Sequence, residues 1–135
     1  MTTNRAVENF RSQHEMSIAA HGVDVWAPSQ IGHIDQEAGA LAGRVYFALR
    51  DLETFLAREE NPDERDRLNL ETSAILFRIG AVRDVVEATN ASLTKHGKAP
   101  SAQLTGWVYR LNEAEPAIAS ARTSLLIHQA DEPLV

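Results

Sequence analysis

The chain has 135 residues, 44% apolar and 24% charged, with 13 Lys+Arg against 19 Asp+Glu for a net charge of -6. Such a length and balance suit one globular domain that buries its own core, and exclude a disordered or collagen-like chain. The absence of cysteine removes disulfides, zinc–thiolate sites and thiol catalysis, and the acidic balance lacks the cation surplus that binding to phosphate backbones needs.

The residues after Met1 carry no apolar signal-peptide segment, and no apolar run approaches the ~18 residues of a membrane span. The expected setting is the cytoplasm, with no membrane and no nucleic acid as partner. The first predicted helix runs from about Thr3 to His21 and stops at Gly22, with Val7, Phe10, His14, Ile18 and His21 on one stripe. A short loop from Gly22 to Pro28, carrying Trp26, is expected next. The second helix begins at Ser29 and reaches Glu60. Its stripe of Ile31, Ile34, Ala38, Leu41, Val45, Leu49, Leu52 and Leu56 advances by three or four residues throughout.

Asn61, Pro62, Asp63 and Glu64 read as N-cap, first-turn proline and two acids suited to the positive end of a helix dipole. The third helix therefore spans Pro62 to Gly97, with Leu68, Thr72, Ile75, Ile79, Val82, Val86 and Leu93 inward, and Lys95 and His96 in its last turn. Ser101 caps a fourth helix that continues to about Gln129, and Pro116 inside it should kink or split it. No segment alternates as a strand does. The fold expected is all-α: a four- to five-helix antiparallel bundle with a long central helical hairpin, in a single domain over residues 1–135. Helices of about thirty residues give that hairpin a length of roughly 45 Å.

The third helix carries a second apolar line, Leu70, Ala74, Phe77, Ala81 and Val85, and the second helix adds Phe47 and Phe55. A helix apolar on more than one stripe is buried on more than one side. Self-association through the central hairpin, giving a homodimer, would cover the surplus; so would the first and fourth helices of the same chain. Gly39 and Gly43, with Ala38 and Ala42, form a small-residue patch that reads as packing first and as a ligand groove second. Arg50, Glu53, Arg58, Glu59, Asp63, Arg65, Asp66 and Arg67 make a mixed-sign surface at the hairpin tip, read as a solvated face. Of the five histidines, His14, His21, His33, His96 and His128, the first two sit two turns apart and read as residues of the bundle edge.

Glu37 and Glu71 are the informative acids, because a charge near a core face needs a partner. Glu37 falls between Ile34 and Leu41, and Glu71 between Leu68 and Ile75. With His33 one turn before Glu37, they form a candidate set of oxygen and nitrogen ligands for a divalent cation. The plainer reading is an interhelical salt bridge, Glu37 with Arg44 or Arg78. On that reading Glu37→Gln and Glu71→Gln should each lower the melting temperature by several degrees.

The stretch Gln30-Ile-Gly-His-Ile-Asp-Gln-Glu37-Ala-Gly39-Ala-Leu41, preceded by Trp26, resembles the first helical motif of the MazG-like all-α NTP pyrophosphatases. Leu70-Glu71-Thr-Ser-Ala74-Ile-Leu-Phe77 resembles their second. The resemblance covers roughly residues 26 to 90. It implies that Glu37 and Glu71 match the first acid of each metal-binding pair, whereas Ala40 and Ala74 stand where the second acids belong. Two carboxylates in place of four leave Mg²⁺ short of anionic ligands.

The resemblance therefore implies a degenerate member that keeps the bundle and the dimer without full hydrolysis. The leading expectation is a non-catalytic helical-bundle interaction or regulatory protein, homodimeric, requiring no cofactor and open to a further protein partner. The alternative is a Mg-dependent nucleoside triphosphate pyrophosphohydrolase in which Asp35, Asp66 or His33 replaces the missing ligands. No Glu-x-x-His pair, phosphate loop or His-Glu-x-x-His motif points to other chemistry.

Overall fold

The computed structural model describes residues 5–58 and 61–130, with side chains described for residues 12–57 and 61–127. Val7, Phe10, Arg58, Glu59 and His128, named above, have side chains outside that range. Four helices, α1 (Arg5–His21), α2 (Val23–Arg58), α3 (Pro62–Lys95) and α4 (Ala102–Ala130), make an all-α bundle, and no strand occurs among the described residues.

The breaks follow from local chemistry. Asn61 caps α3 as expected: its side-chain oxygen accepts from the amides of Asp63 at 3.0 Å and Glu64 at 3.4 Å. At the other end Gly97, at φ 75°, closes a Schellman turn, with Lys98 N–H donating to the Leu93 carbonyl at 2.8 Å and Gly97 N–H to Thr94 at 3.1 Å. Ser101 caps α4 through Leu104 N–H at 3.2 Å, and its own amide donates to Asn90 Oδ1 at 2.8 Å.

Two expectations built on proline need correction. The loop from Gly22 to Pro28 is a single residue, Gly22, whose φ of 82° reverses the chain so that α2 starts at Val23 and includes Pro28. Trp26 is therefore helical, and its amide already donates to the Gly22 carbonyl at 3.0 Å. Pro28 forfeits one bond, to the Asp24 carbonyl, near the start of the helix; burial of Trp26 against Ile18 and Leu93 offsets that loss. Pro116 likewise does not divide α4, which is continuous from Ala102 to Ala130. Leu104, Leu111, Ile118 and Leu125, all buried, recur every seven residues and anchor the helix before and after the proline.

The same spacing governs α2, where Ile34, Ala38, Leu41, Val45, Ala48, Leu52 and Phe55 are buried. Leu49 and Leu56, expected in the core, are half-buried, and Ala48 and Phe55 take their places. A strict heptad is the seam of helices that coil around one another, and over 36 residues it departs from a straight-helix stripe. On α3 the inward set holds, with Leu68, Thr72, Ile75, Ile79, Val86 and Leu93 buried and Val82 half-buried.

The chain packs as two compact units. The first comprises α1, α2 up to Gly39, α3 from Gly80 and α4 up to Tyr109. Its core holds two clusters, Ile18–Trp26–Leu93 and Ile34–Val86–Leu104. The second comprises α2 from Ala40, α3 up to Ile79 and α4 from Arg110, around Leu52, Phe55, Leu68 and Leu125. In both units α2 and α3 pair in opposite directions: Gln30 meets Thr89 in the first, and Arg44 meets Glu71 while Asp51 meets Arg67 in the second. No described helix is long and apolar enough to cross a membrane.

Candidate functional site

Glu37 is exposed (60% of its side-chain surface) and meets His33 Nε2 at 3.3 Å, one turn back on α2, within the first unit. Its expected place near the core face is corrected. The heptad seam runs through Ile34, Ala38 and Leu41 and leaves Glu37 outside. Glu71 belongs to the second unit, half-buried at 31%, where Arg44 Nε and Nη2 donate to its Oε1 at 3.1 and 3.0 Å. The expected bridge of Glu37 with Arg44 or Arg78 does not form; Arg44 pairs instead with Glu71 across the hairpin, while Glu37 meets His33. Among the described residues no group of three or more His, Asp or Glu side chains stands ready to hold a metal ion. Ala40 is exposed and Ala74 half-buried, so neither position adds a carboxylate.

The Arg44–Glu71 pair lines a groove of about 350 Å³ on the second unit. Gly43, Phe47 and Ala48 line it as well, together with a second charged pair, Asp51 with Arg67. Arg67 donates to Asp51 Oδ2 at 3.2 Å and, from Nε, to Glu64 Oε2 at 3.0 Å. Hydrogen bonding to Glu64, with Asp51 beside it, raises Arg67 above its already high range, and the same bond holds the Glu64 carboxyl below its usual value. Both guanidiniums in the lining are therefore matched by carboxylates. An incoming phosphate would have to displace Glu71 or Asp51, and an incoming cation would have to draw Glu71 from Arg44. The groove suits an uncharged apolar group.

The apolar lines outside the core are the larger feature. Leu70 and Phe77 on α3 are 73% and 78% exposed, and Tyr46 and Phe47 on α2 are 64% and 56% exposed. Tyr46 and Phe47 meet edge to face at 5.5 Å, and the Arg50 guanidinium lies 5.7 Å from the Phe47 ring centre. Within the second unit, α4 leaves these side chains exposed. Arg65, read as part of a solvated face, is instead buried, whereas Asp63, Asp66 and Arg67 of that group are exposed as expected.

The first unit holds polar groups that sequence reading placed differently. His14, assigned to the bundle edge, is buried at 5% exposure against Trp26, with ring centres 5.0 Å apart. The Gln30 side-chain amide donates to His14 Nε2 at 3.0 Å and to Thr89 Oγ1 at 3.3 Å. The only sequence signal was position: His14 lies one turn before Ile18 on the α1 stripe. Trp107 Nε1 donates to Asp35 at 2.6 Å, and that bond, followed by one from Gln103, holds the Asp35 carboxyl below its ordinary value. The Trp107 ring lies 3.8 Å from where a Cβ at Gly39 would stand, so the small-residue patch serves packing at that point. Gly43 faces open space over the groove. Compared with protein families, curated proteins and solved structures, the chain finds no match.

Proposed function

We propose that this chain is a non-catalytic helical-bundle interaction or regulatory protein that works as a homodimer in the cytoplasm, related to the MazG-like bundles but lacking their full acid set. The exposure of Tyr46, Phe47, Leu70 and Phe77 on the second unit carries this reading. Large apolar side chains at these exposures cost free energy in water that a partner surface removes, roughly 25 cal/mol per Å² of apolar area covered. The two units differ in a way that supports it. In the first, α1 lies over α2 and α3 through Ile18, Trp26 and Leu93. The second contains segments of α2, α3 and α4 only, so the cover that α1 supplies elsewhere has no counterpart within it. A second copy presents the same apolar lines, as a two-fold interface requires, and the internally neutralised groove accepts an apolar side chain from it. A net charge of -6 argues against nucleic acid as the partner.

Sedimentation equilibrium at micromolar concentration should give twice the 14.9 kDa chain mass. Phe47→Ser combined with Phe77→Ser should return the single-chain mass while keeping the helical circular dichroism. A parent protein that stays monomeric at those concentrations overturns the reading. The pyrophosphohydrolase alternative draws its support from the two motif stretches alone. Release of pyrophosphate from a nucleoside triphosphate with Mg²⁺, abolished by Glu71→Gln, would revive it.

A further inference from the structure

Helix α1 is held to the first unit by Ile18, by the Glu15 contacts to the end of α3 and by a buried imidazole, His14. His14 is buried, with the Trp26 ring and the Gln30 amide of α2 against it and the Ala88 carbonyl of α3 beside it. Gln30 bridges His14 and Thr89, so that α1, α2 and α3 share one hydrogen-bonded junction. The ring accepts the Gln30 N–H on Nε2, which requires that nitrogen to be without a proton. Protonation would place two donors against each other and set a charge among apolar and neutral groups, at a cost that release to water removes.

We propose that His14 makes α1 a pH-sensitive latch: proton uptake by its ring breaks the Gln30 junction and releases α1 from α2 and α3, uncovering Ile18, Trp26 and Leu93. The site is independent of the dimer proposed above, since every residue in it belongs to the first unit.

The charges around the junction set the direction. Burial lowers the His14 ring below its ordinary value of 6.5, while the Ala88 carbonyl and the Glu15 carboxylate on α1 partly oppose it. Glu15 in turn meets His96 Nε2 at 3.5 Å and Lys95 Nζ at 3.6 Å, both at the end of α3. These contacts also tie α1 to the end of α3, so the latch opens only to the extent that His14 outweighs them. For His14 the linkage is one-signed. The released form binds the proton at higher pH than the docked form, so docking is fully favoured above about pH 6.5 and weakens as pH falls toward the docked-state value.

Amide hydrogen exchange, corrected for intrinsic rates, tests this at pH 7.5 and 5.0. The expected result is a loss of protection on the order of tenfold across residues 12–21 at the lower pH, with the segment around Leu52 and Leu68 unchanged. His14→Gln keeps an acceptor near the Nε2 position and removes the titration, so its protection should not change with pH. Equal protection of α1 at both pH values in the parent protein overturns the proposal, as does an equal loss in His14→Gln. Should that variant fail to fold by circular dichroism, the imidazole proton resonances of the parent decide. A His14 midpoint below the ordinary imidazole value of 6.5 supports the latch, and one at or above it sinks it.

Discussion

The two units of this bundle are cut from the same three long helices yet differ in what they bury. The first adds α1 and buries polar groups along with apolar ones: His14, Thr89 and Ser92 are buried, Gln30 ties the first two together, and Met16, Val25 and Tyr109 stay exposed. The second has an apolar core of Leu52, Phe55, Leu68 and Leu125 and leaves four large apolar side chains of α2 and α3 in water. Its charges line the groove in matched pairs, Arg44 with Glu71 and Arg67 with Asp51. The difference teaches where each unit can respond to its surroundings. On the two proposals made above, the unit with the buried imidazole would answer to protons, and the one with the neutral groove to another apolar surface.

Core truncations should sharpen that contrast most. Leu68→Ala in the second unit and Leu104→Ala in the first each remove a side chain with no exposed surface. Each should cost about 2–5 kcal/mol by the transfer and cavity terms. Urea unfolding measured by circular dichroism gives the size. Because α2, α3 and α4 run through both units, one shared transition is expected for both variants. Two separate transitions in either would mean that the units melt apart.

Glycine replacement is the next effect in size, and it is a gain. A Cβ at Gly43 would meet nothing within 4 Å, so Gly43→Ala should raise stability by about 0.5–1 kcal/mol. The same substitution narrows the groove, so a weaker dimer by sedimentation together with a higher melting temperature would place that groove in the interface. A lower melting temperature would contradict the open space over Gly43.

Neutralising the two acids should produce the smallest changes, and it separates the units again. Glu71→Gln removes a partner of Arg44 at a partly exposed bridge and should cost about 0.2–1 kcal/mol. Glu37→Gln removes an exposed contact with His33 and should leave the melting temperature within error. Thermal denaturation of both variants at neutral pH checks this. The several-degree loss expected from sequence for each acid rested on full burial, whereas Glu71 is half-buried and Glu37 exposed.

Much of the fold was legible because helix ends are local. Asn61, Gly97 and Ser101 form caps and turns whose hydrogen bonds reach no further than a few residues, and reading them in order placed three of the helix boundaries. Prolines misled for the same local reason. Their cost is intrinsic, but the burial that offsets it for Pro28, through Trp26 against Ile18 and Leu93, comes from residues on other helices. The candidate site was less legible. The spacing of charges singled out Glu37, Glu71 and Arg44 but paired Glu37 with Arg44 or Arg78. The actual pairing depended on the seam advancing by sevens, which turns Glu71 toward Arg44 and leaves Glu37 in water.

By itself, the sequence determined that this chain is helical, where its helices stop, and that α2 and α3 carry more apolar surface than one stripe can hide. These properties follow from backbone conformation and side-chain periodicity, which are settled within a few turns. Only the tertiary structure decided which apolar line stays in water, that His14 is buried rather than marginal, and that Arg65 turns inward. Each of those outcomes depends on which neighbouring helix arrives to displace water, and α1 reaches only one of the two units.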